Sequence, residues 1–166
     1  MKATKLLTEQ HRKVKATFAK IESADGDPMA LVRDLANDLG AHMAIEQQLF
    51  YPTVREIKAD LVDESYEEHS VAELALKRLL RTSSGDAAFK ARVTVLKELI
   101  EHHVEEEEND LFPAVEKALG DAKLEELGKQ MEAQFKTAKA QGFDSLVPSG
   151  FAKTSADEFE RLVQAT

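Results

Sequence analysis

A chain of 166 residues, 43% apolar and 32% charged, is long enough for one domain with a sizeable core, with or without a short appendage, and too apolar for a disordered segment. Its 22 Lys and Arg stand against 31 Asp and Glu, a net charge of -9 that repels a nucleic acid duplex or an anionic membrane surface. Cysteine is absent, which excludes disulfides, thiolate chemistry, Cys-ligated zinc and Cys-held iron–sulfur clusters, so any metal must be held by nitrogen and oxygen.

The start of the chain turns polar after Leu6 and Leu7, and no apolar run approaches the roughly 20 residues that span a bilayer, so a cytoplasmic protein without a membrane partner is expected. Leu7, His11, Val14, Phe18 and Ile21 step by three and four and predict a first helix with these residues on one face. Residues 23–28 read as a turn, with Asp27 as N-cap and Pro28 at the first position of a second helix. That helix carries Leu31, Leu35, Leu39, His42, Glu46 and Leu49 until Pro52, which must bend or weaken it. A break near 58–64 leads to a third helix with Val62, Tyr66, His69, Glu73, Leu76 and Leu80. Residues 82–86 supply a loop and a cap, and a fourth helix carries Phe89, Val93, Leu96, Ile100, His103 and Glu107 up to Pro113. Four such stripes describe an all-α, up-and-down antiparallel four-helix bundle over residues 1–118. Residues 119–166 then form a helical extension beside it. Leu124, Leu127, Met131 and Phe135 share one side of a fifth segment, and Ser155 to Glu158 form a capping box opening a short helix with Phe159 and Leu162.

An internal repeat organises the polar residues of these stripes. His42, Glu46 and Pro52 recur at His103, Glu107 and Pro113, a common offset of 61, while His11 and His69 are 58 apart. Each half therefore offers one His followed by one His-x-x-x-Glu, whose two side chains lie on one helix face and present a nitrogen and a carboxylate to one point. Inward carboxylates are costly unless a cation compensates them, and imidazole plus carboxylate without sulfur suits iron or manganese, with zinc also fitting. Counting donors favours two ions. Four terminal histidines and two bridging glutamates, with one oxo or hydroxo bridge, leave about two positions of two octahedral ions open to solvent, dioxygen or peroxide.

The order His11, His42-x-x-x-Glu46, His69, His103-x-x-x-Glu107, with Leu-Phe-Tyr-Pro and Leu-Phe-Pro closing the paired helices, resembles the hemerythrin-like family, the HHE cation-binding domain, over roughly residues 5–118. The resemblance implies a bundle around a non-haem di-iron centre with His11, His42, Glu46, His69, His103 and Glu107 as ligands. It also implies roles in oxygen binding, in sensing oxygen, iron or nitric oxide, and in peroxide handling. Oxygen-carrying hemerythrins have a second His four residues after the first on the third helix. Here that position is Glu73, so either a coordination site stays open or Glu73 becomes a further carboxylate ligand, and reversible oxygen carriage is disfavoured.

The remaining polar residues read as follows. His102 falls at the rim, and Glu105, Glu106 and Glu108 on a solvated face. Phe18, Phe50, Tyr51, Tyr66, Phe89 and Phe112 serve as core or pocket walls, with Tyr66 near enough to His69 for its hydroxyl to reach a bound oxygen species. As an enzyme the protein would decompose peroxide or oxidise ferrous iron. As a sensor it would couple ligand binding to a contact made by the segment after Gly120, and a structural clamp would bind zinc as well as iron.

Overall fold

Helix α1 (Ala3–Glu22) buries Leu7, His11, Val14, Phe18 and Ile21, the face marked out by steps of three and four. Helix α2 (Met29–Ile45) starts behind Pro28, and the Asp27 carboxylate caps it by accepting the Met29 N–H at 3.1 Å. Its core stripe opens with Val32, while Leu31 is only half-buried. Then come α3 (Tyr51–Val54), α4 (Ala59–Leu80), α5 (Ala87–Glu106), α6 (Phe112–Gln141) and α7 (Phe143–Leu146). Asp86 caps α5 through the Ala88 N–H at 2.7 Å. This computed structural model describes residues 1–147, so the capping box at Ser155 and its helix lie outside the described residues. Among the described residues every regular element is helical, and no helix is long and apolar enough to cross a membrane.

The two inner prolines act in one particular way. A π-helical turn, Glu46–Phe50, joins α2 to α3, and a second, Glu107–Leu111, joins α5 to α6. In each the Cα trace stays helical, and the N–H of Tyr51 or Phe112 reaches back to the carbonyl of Glu46 or Glu107. A proline removes the donor for the carbonyl four residues earlier and crowds it; the wider turn absorbs that conflict without ending the helix.

The core has three layers along the bundle axis. One apolar cluster holds Phe18, Leu35, Leu39, Leu76, Leu96 and Ile100, and another holds Leu7, Ile45, Phe50, Val62, Leu111 and Phe112. Between them lie buried His11, His42, Glu46, His69, His103 and Glu107. Along α1 and α4 the chain passes from the second cluster to the first, and along α2 and α5 from the first to the second. The four helices therefore alternate in direction, and each crosses the polar layer once.

At Gly120 the backbone leaves the helix with φ 71° and ψ 170°, a conformation that side-chain-bearing residues rarely adopt. The remainder of α6 lies against α1 and α2, burying Leu124, Leu127 and Met131 with Phe135 half-buried. Lys2 pairs with Asp121 at 2.6 Å, Gln134 donates to Gln48 at 2.9 Å, and Lys139 contacts the buried Asp38. Helix α7 then places Phe143 over Gly40. With this arm on its back and the bundle at its front, α2 is buried on all sides from Asp38 to Ile45.

Candidate metal centre

Each half of the centre begins with the same local geometry. Glu46 opens the first π turn, its N–H shared between the carbonyls of His42 and Met43, and Glu107 opens the second in the same way beneath His103 and Val104. The i, i+4 spacing and the widened turn aim imidazole and carboxylate at the same point. His11 of α1 and His69 of α4 complete the layer.

The six donors fall into two groups that share a carboxylate: His11, His42, Glu46 and Glu107, and then Glu46, His69 and His103, with all donor atoms in a group within 4.8 Å of one another. His11 Nε2 lies 3.4 Å from Glu107 Oε2, and His42 Nε2 lies 3.2 Å from Glu46 Oε2. On the other side His69 Nε2 is 3.4 Å from Glu46 Oε2 and 3.1 Å from His103 Nε2, which is 3.7 Å from Glu107 Oε2. Two ligands each about 2.1 Å from one ion sit about 3.0 to 3.4 Å apart at octahedral to tetrahedral angles, so this spacing is that of neighbouring ligands for every pair but His103 and Glu107, which is wider. Four of the buried atoms, His11 Nε2, both Glu46 oxygens and Glu107 Oε2, have no hydrogen-bond partner. Orphaned acceptors are costly, and a cation is the partner their chemistry fits.

The outward Nδ1 atoms are all held. His11 Nδ1 lies 2.8 Å from Glu108 Oε1, His42 Nδ1 2.7 Å from Gln10 Oε1, and His103 Nδ1 2.7 Å from Glu68 Oε2. These three contacts place a proton on Nδ1 and leave the Nε2 lone pair facing inward, as ligation requires. His69 Nδ1 lies 3.2 Å from the Gln47 amide, which offers its oxygen when rotated. Glu108 is therefore not a solvated bystander, and Glu68, Gln10 and Gln47 are partners of the histidines that helical spacing alone did not mark.

Electrostatics agree with a layer built around positive charge. Burial, reinforced by the other imidazoles, holds His42 well below its ordinary pKa and brings His69 down to about 3. Burial and the Glu107 charge push Glu46 well up. For Glu107 burial works upward, but His103 and His11 outweigh it and hold the carboxyl low. Without a cation, one carboxyl of the pair is favoured in its neutral form.

Tyr51, expected to be a wall, is at the centre instead. Its hydroxyl donates to Glu107 Oε1 at 2.9 Å and lies 3.2 Å from His69 Nε2 and 3.5 Å from His103 Nε2. Tyr66, whose hydroxyl was expected near a bound oxygen species, turns away and donates to the Gln47 carbonyl at 3.2 Å. Glu73 is half-buried and belongs to neither donor group. His102 is exposed at the rim, near Glu68 and Glu106. A groove of about 490 Å³ between α1 and α5, lined by His11, Phe18, Ile100, Val104 and Glu108, brings solvent to the edge of the layer.

The sequence profile of the Hemerythrin HHE cation binding domain matches residues 2–115. The chain belongs to this family. A crystal structure of a hemerythrin HHE cation-binding domain-containing protein from Mycobacterium kansasii, described as an Rv2633c homolog, superposes with a TM-score of 0.77. It is 31% identical and covers 85% of this chain and 89% of that one. Rv2633c itself, an uncharacterised protein of Mycobacterium tuberculosis, is 27% identical over 92% of this chain and 96% of its own length. A DNA nickase of Nostoc is 30% identical over 78% of this chain, which spans only 37% of that protein. As a hemerythrin HHE protein the chain is a helical bundle of a cation-binding family. Its His and Glu groups are suited to hold metal.

Proposed function

We propose that the centre would hold two iron ions, with Glu46 placed among the donors of both, and that it binds a small oxygen-type ligand such as dioxygen, peroxide or nitric oxide in redox chemistry or sensing. The observation that carries this reading is the buried layer of six donors in two groups sharing Glu46, with four buried polar atoms lacking any protein partner. The nitrogen and oxygen donor set suits iron better than a sulfur-preferring metal, and manganese or zinc are the alternatives that elemental analysis separates. Two iron ions held there would supply two electrons at a time, the number needed to reduce one peroxide to water and to oxidise a second to dioxygen.

The chain's own groups have definite parts in this. His11, His42, His69 and His103 would hold the ions through Nε2, and Glu46 lies where it can serve both. Glu108, Gln10 and Glu68 keep the imidazoles oriented, and the apolar clusters on either side keep bulk water from the layer. The α1–α5 groove gives a small ligand a path to His11. The nickase activity named for the Nostoc protein is not carried over, because the match covers a minor part of that protein and the charge of -9 opposes a DNA duplex.

The test is turnover by purified, iron-loaded protein. It should consume hydrogen peroxide faster than the same amount of free iron, and His103→Ala, which removes a proposed ligand, should slow it at least about tenfold, the scale on which even outer partners of a metal site act. No excess over free iron retires the enzyme. A sensor reading then remains, favoured by the position of α2, whose inner face carries His42 and leads into Glu46 and whose outer face supports α6 and α7.

A further inference from the structure

The partners behind the histidines follow the same repeat as the histidines themselves. Gln10 and Glu68 are 58 apart, as His11 and His69 are. Each holds the ring of the second histidine of its half: Gln10 Oε1 lies 2.7 Å from His42 Nδ1, and Glu68 Oε2 lies 2.7 Å from His103 Nδ1. A neutral amide oxygen does this in the first half, so orienting the ring does not require the negative charge of Glu68.

The other oxygen of Glu68 gives that charge a different purpose. Glu68 Oε1 lies 3.7 Å from His102 Nε2, which is 3.6 Å from Glu106 Oε1. His102 and Glu106 stand one residue ahead of His103 and Glu107, so α5 carries two His-x-x-x-Glu pairs side by side, one turned inward and one outward. One donor atom from each of Glu68, His102 and Glu106 lies within 4.8 Å of the others. Neither contact to His102 is short enough for a hydrogen bond, and the buried Oε2 of Glu106 has no hydrogen-bond partner. An imidazole and two carboxylates thus converge without bonding one another, and a cation among them relieves the repulsion.

The first half of the repeat has no such cluster. The offset of 61 carries His102 and Glu106 back to Ala41 and Ile45, both buried, Ala41 beside Ala138 of the α6 arm. All three positions therefore change together between the halves: Gln10 to Glu68, Ala41 to His102 and Ile45 to Glu106. Ring orientation is retained through the change, and a donor set is gained.

We propose that Glu68, His102 and Glu106 form an outer cation site on the α4–α5 face, which takes a divalent transition-metal ion from solvent. One nitrogen and two carboxylate donors, with water in the remaining positions, suit manganese, ferrous iron or zinc, whereas magnesium and calcium take oxygen ligands. The spacing is slightly wider than that of ligands closed on an ion, and His102, 62% exposed, can close it by rotating. The site shares Glu68 with the His103 ring and uses none of the six inner donors.

The test compares wild type with Glu68→Gln, His102→Ala and Glu106→Gln, each checked for helicity. Glu68→Gln keeps an oxygen for His103, and His102→Ala installs the residue that the first half carries. Each full-length protein is titrated with Mn2+ in excess Mg2+, and free Mn2+ is read from its electron paramagnetic resonance signal. Wild type should bind one ion more than the variants, each of which should hold that ion at least about tenfold more weakly, with the number of inner ions unchanged. Equal stoichiometry and affinity in all four proteins overturns the inference, as does displacement of the extra ion by Mg2+. An extra ion lost only in Glu68→Gln also overturns it, because His102 and Glu106 then take no part. A wild type that binds a single Mn2+, lost in all three variants, upholds the outer site while defeating the two-ion centre, so the two readings fail separately.

Discussion

At the scale of single residues, the partners behind the histidines matter as much as the donors themselves. Glu68 is half-exposed and touches no ion in the proposed centre, yet its carboxylate 2.7 Å from His103 Nδ1 keeps that ring turned and its Nε2 unprotonated. Glu68→Ala should leave the fold intact and weaken metal binding about 10- to 100-fold, read by competition with a coloured chelator. Glu73→Gln, at a half-buried site outside both donor groups, should leave affinity and stoichiometry as they are. Equal affinity for wild type and Glu68→Ala would mean that packing alone orients His103.

At the scale of elements, the prolines and glycines decide how the helices bring donors together. Both π turns begin at a glutamate of the centre and end one residue before a helix whose first turn holds proline, so the wider turn and the inward carboxylate occur together twice. Gly120 lets the chain reverse within α6, between the part that continues from α5 and the part that lies against α1 and α2. Gly128 has a different reason: a β-carbon there would meet the Met1 carbonyl oxygen at 2.2 Å and the Ala3 nitrogen at 2.8 Å, both backbone atoms. Gly128→Ala should therefore force the chain's first residues away from α6 and cost about 1 to 3 kcal/mol, measured by chemical denaturation, with metal stoichiometry unchanged. A neutral effect would show that the N-terminal residues shift at no cost.

For the whole molecule, the polar layer ties stability to pH. In metal-free protein His69, lowered from 6.5 to about 3, and His42, also held low, stay neutral when folded and take up protons when unfolded. Their contribution to stability is therefore lost as pH falls from 6.5. Glu46 has the opposite sign, because its raised pKa lets the folded chain keep a proton that the unfolded chain releases above 4.5. With two histidines against one carboxyl, the net effect is a loss of stability as pH falls from 6.5 toward 4.5. Thermal denaturation of apo-protein across that window should show the midpoint falling, and loading with metal should raise it at every pH by binding the native state alone. A flat apo profile would show that these histidines are solvated before unfolding.

The helices and the convergence of six buried His and Glu side chains were legible in the sequence because both depend on local spacing: a period of 3.6 sets the buried face, and residues four apart share it wherever the chain is helical. The repeat at an offset of 61 then identified His103 and Glu107 rather than His102 and Glu106. Contacts made across helices carry no such period. Glu68 reaches His103 from another helix, Gln10 reaches His42, and Glu108 holds His11 from a run of four glutamates that local pattern can only read as solvated. Tyr51 and Phe112 looked alike as aromatic neighbours of proline. Which of the two carries a hydroxyl into the layer, and which imidazoles it meets there, follows from the packing of four antiparallel helices, since separation along the chain does not report closeness in space.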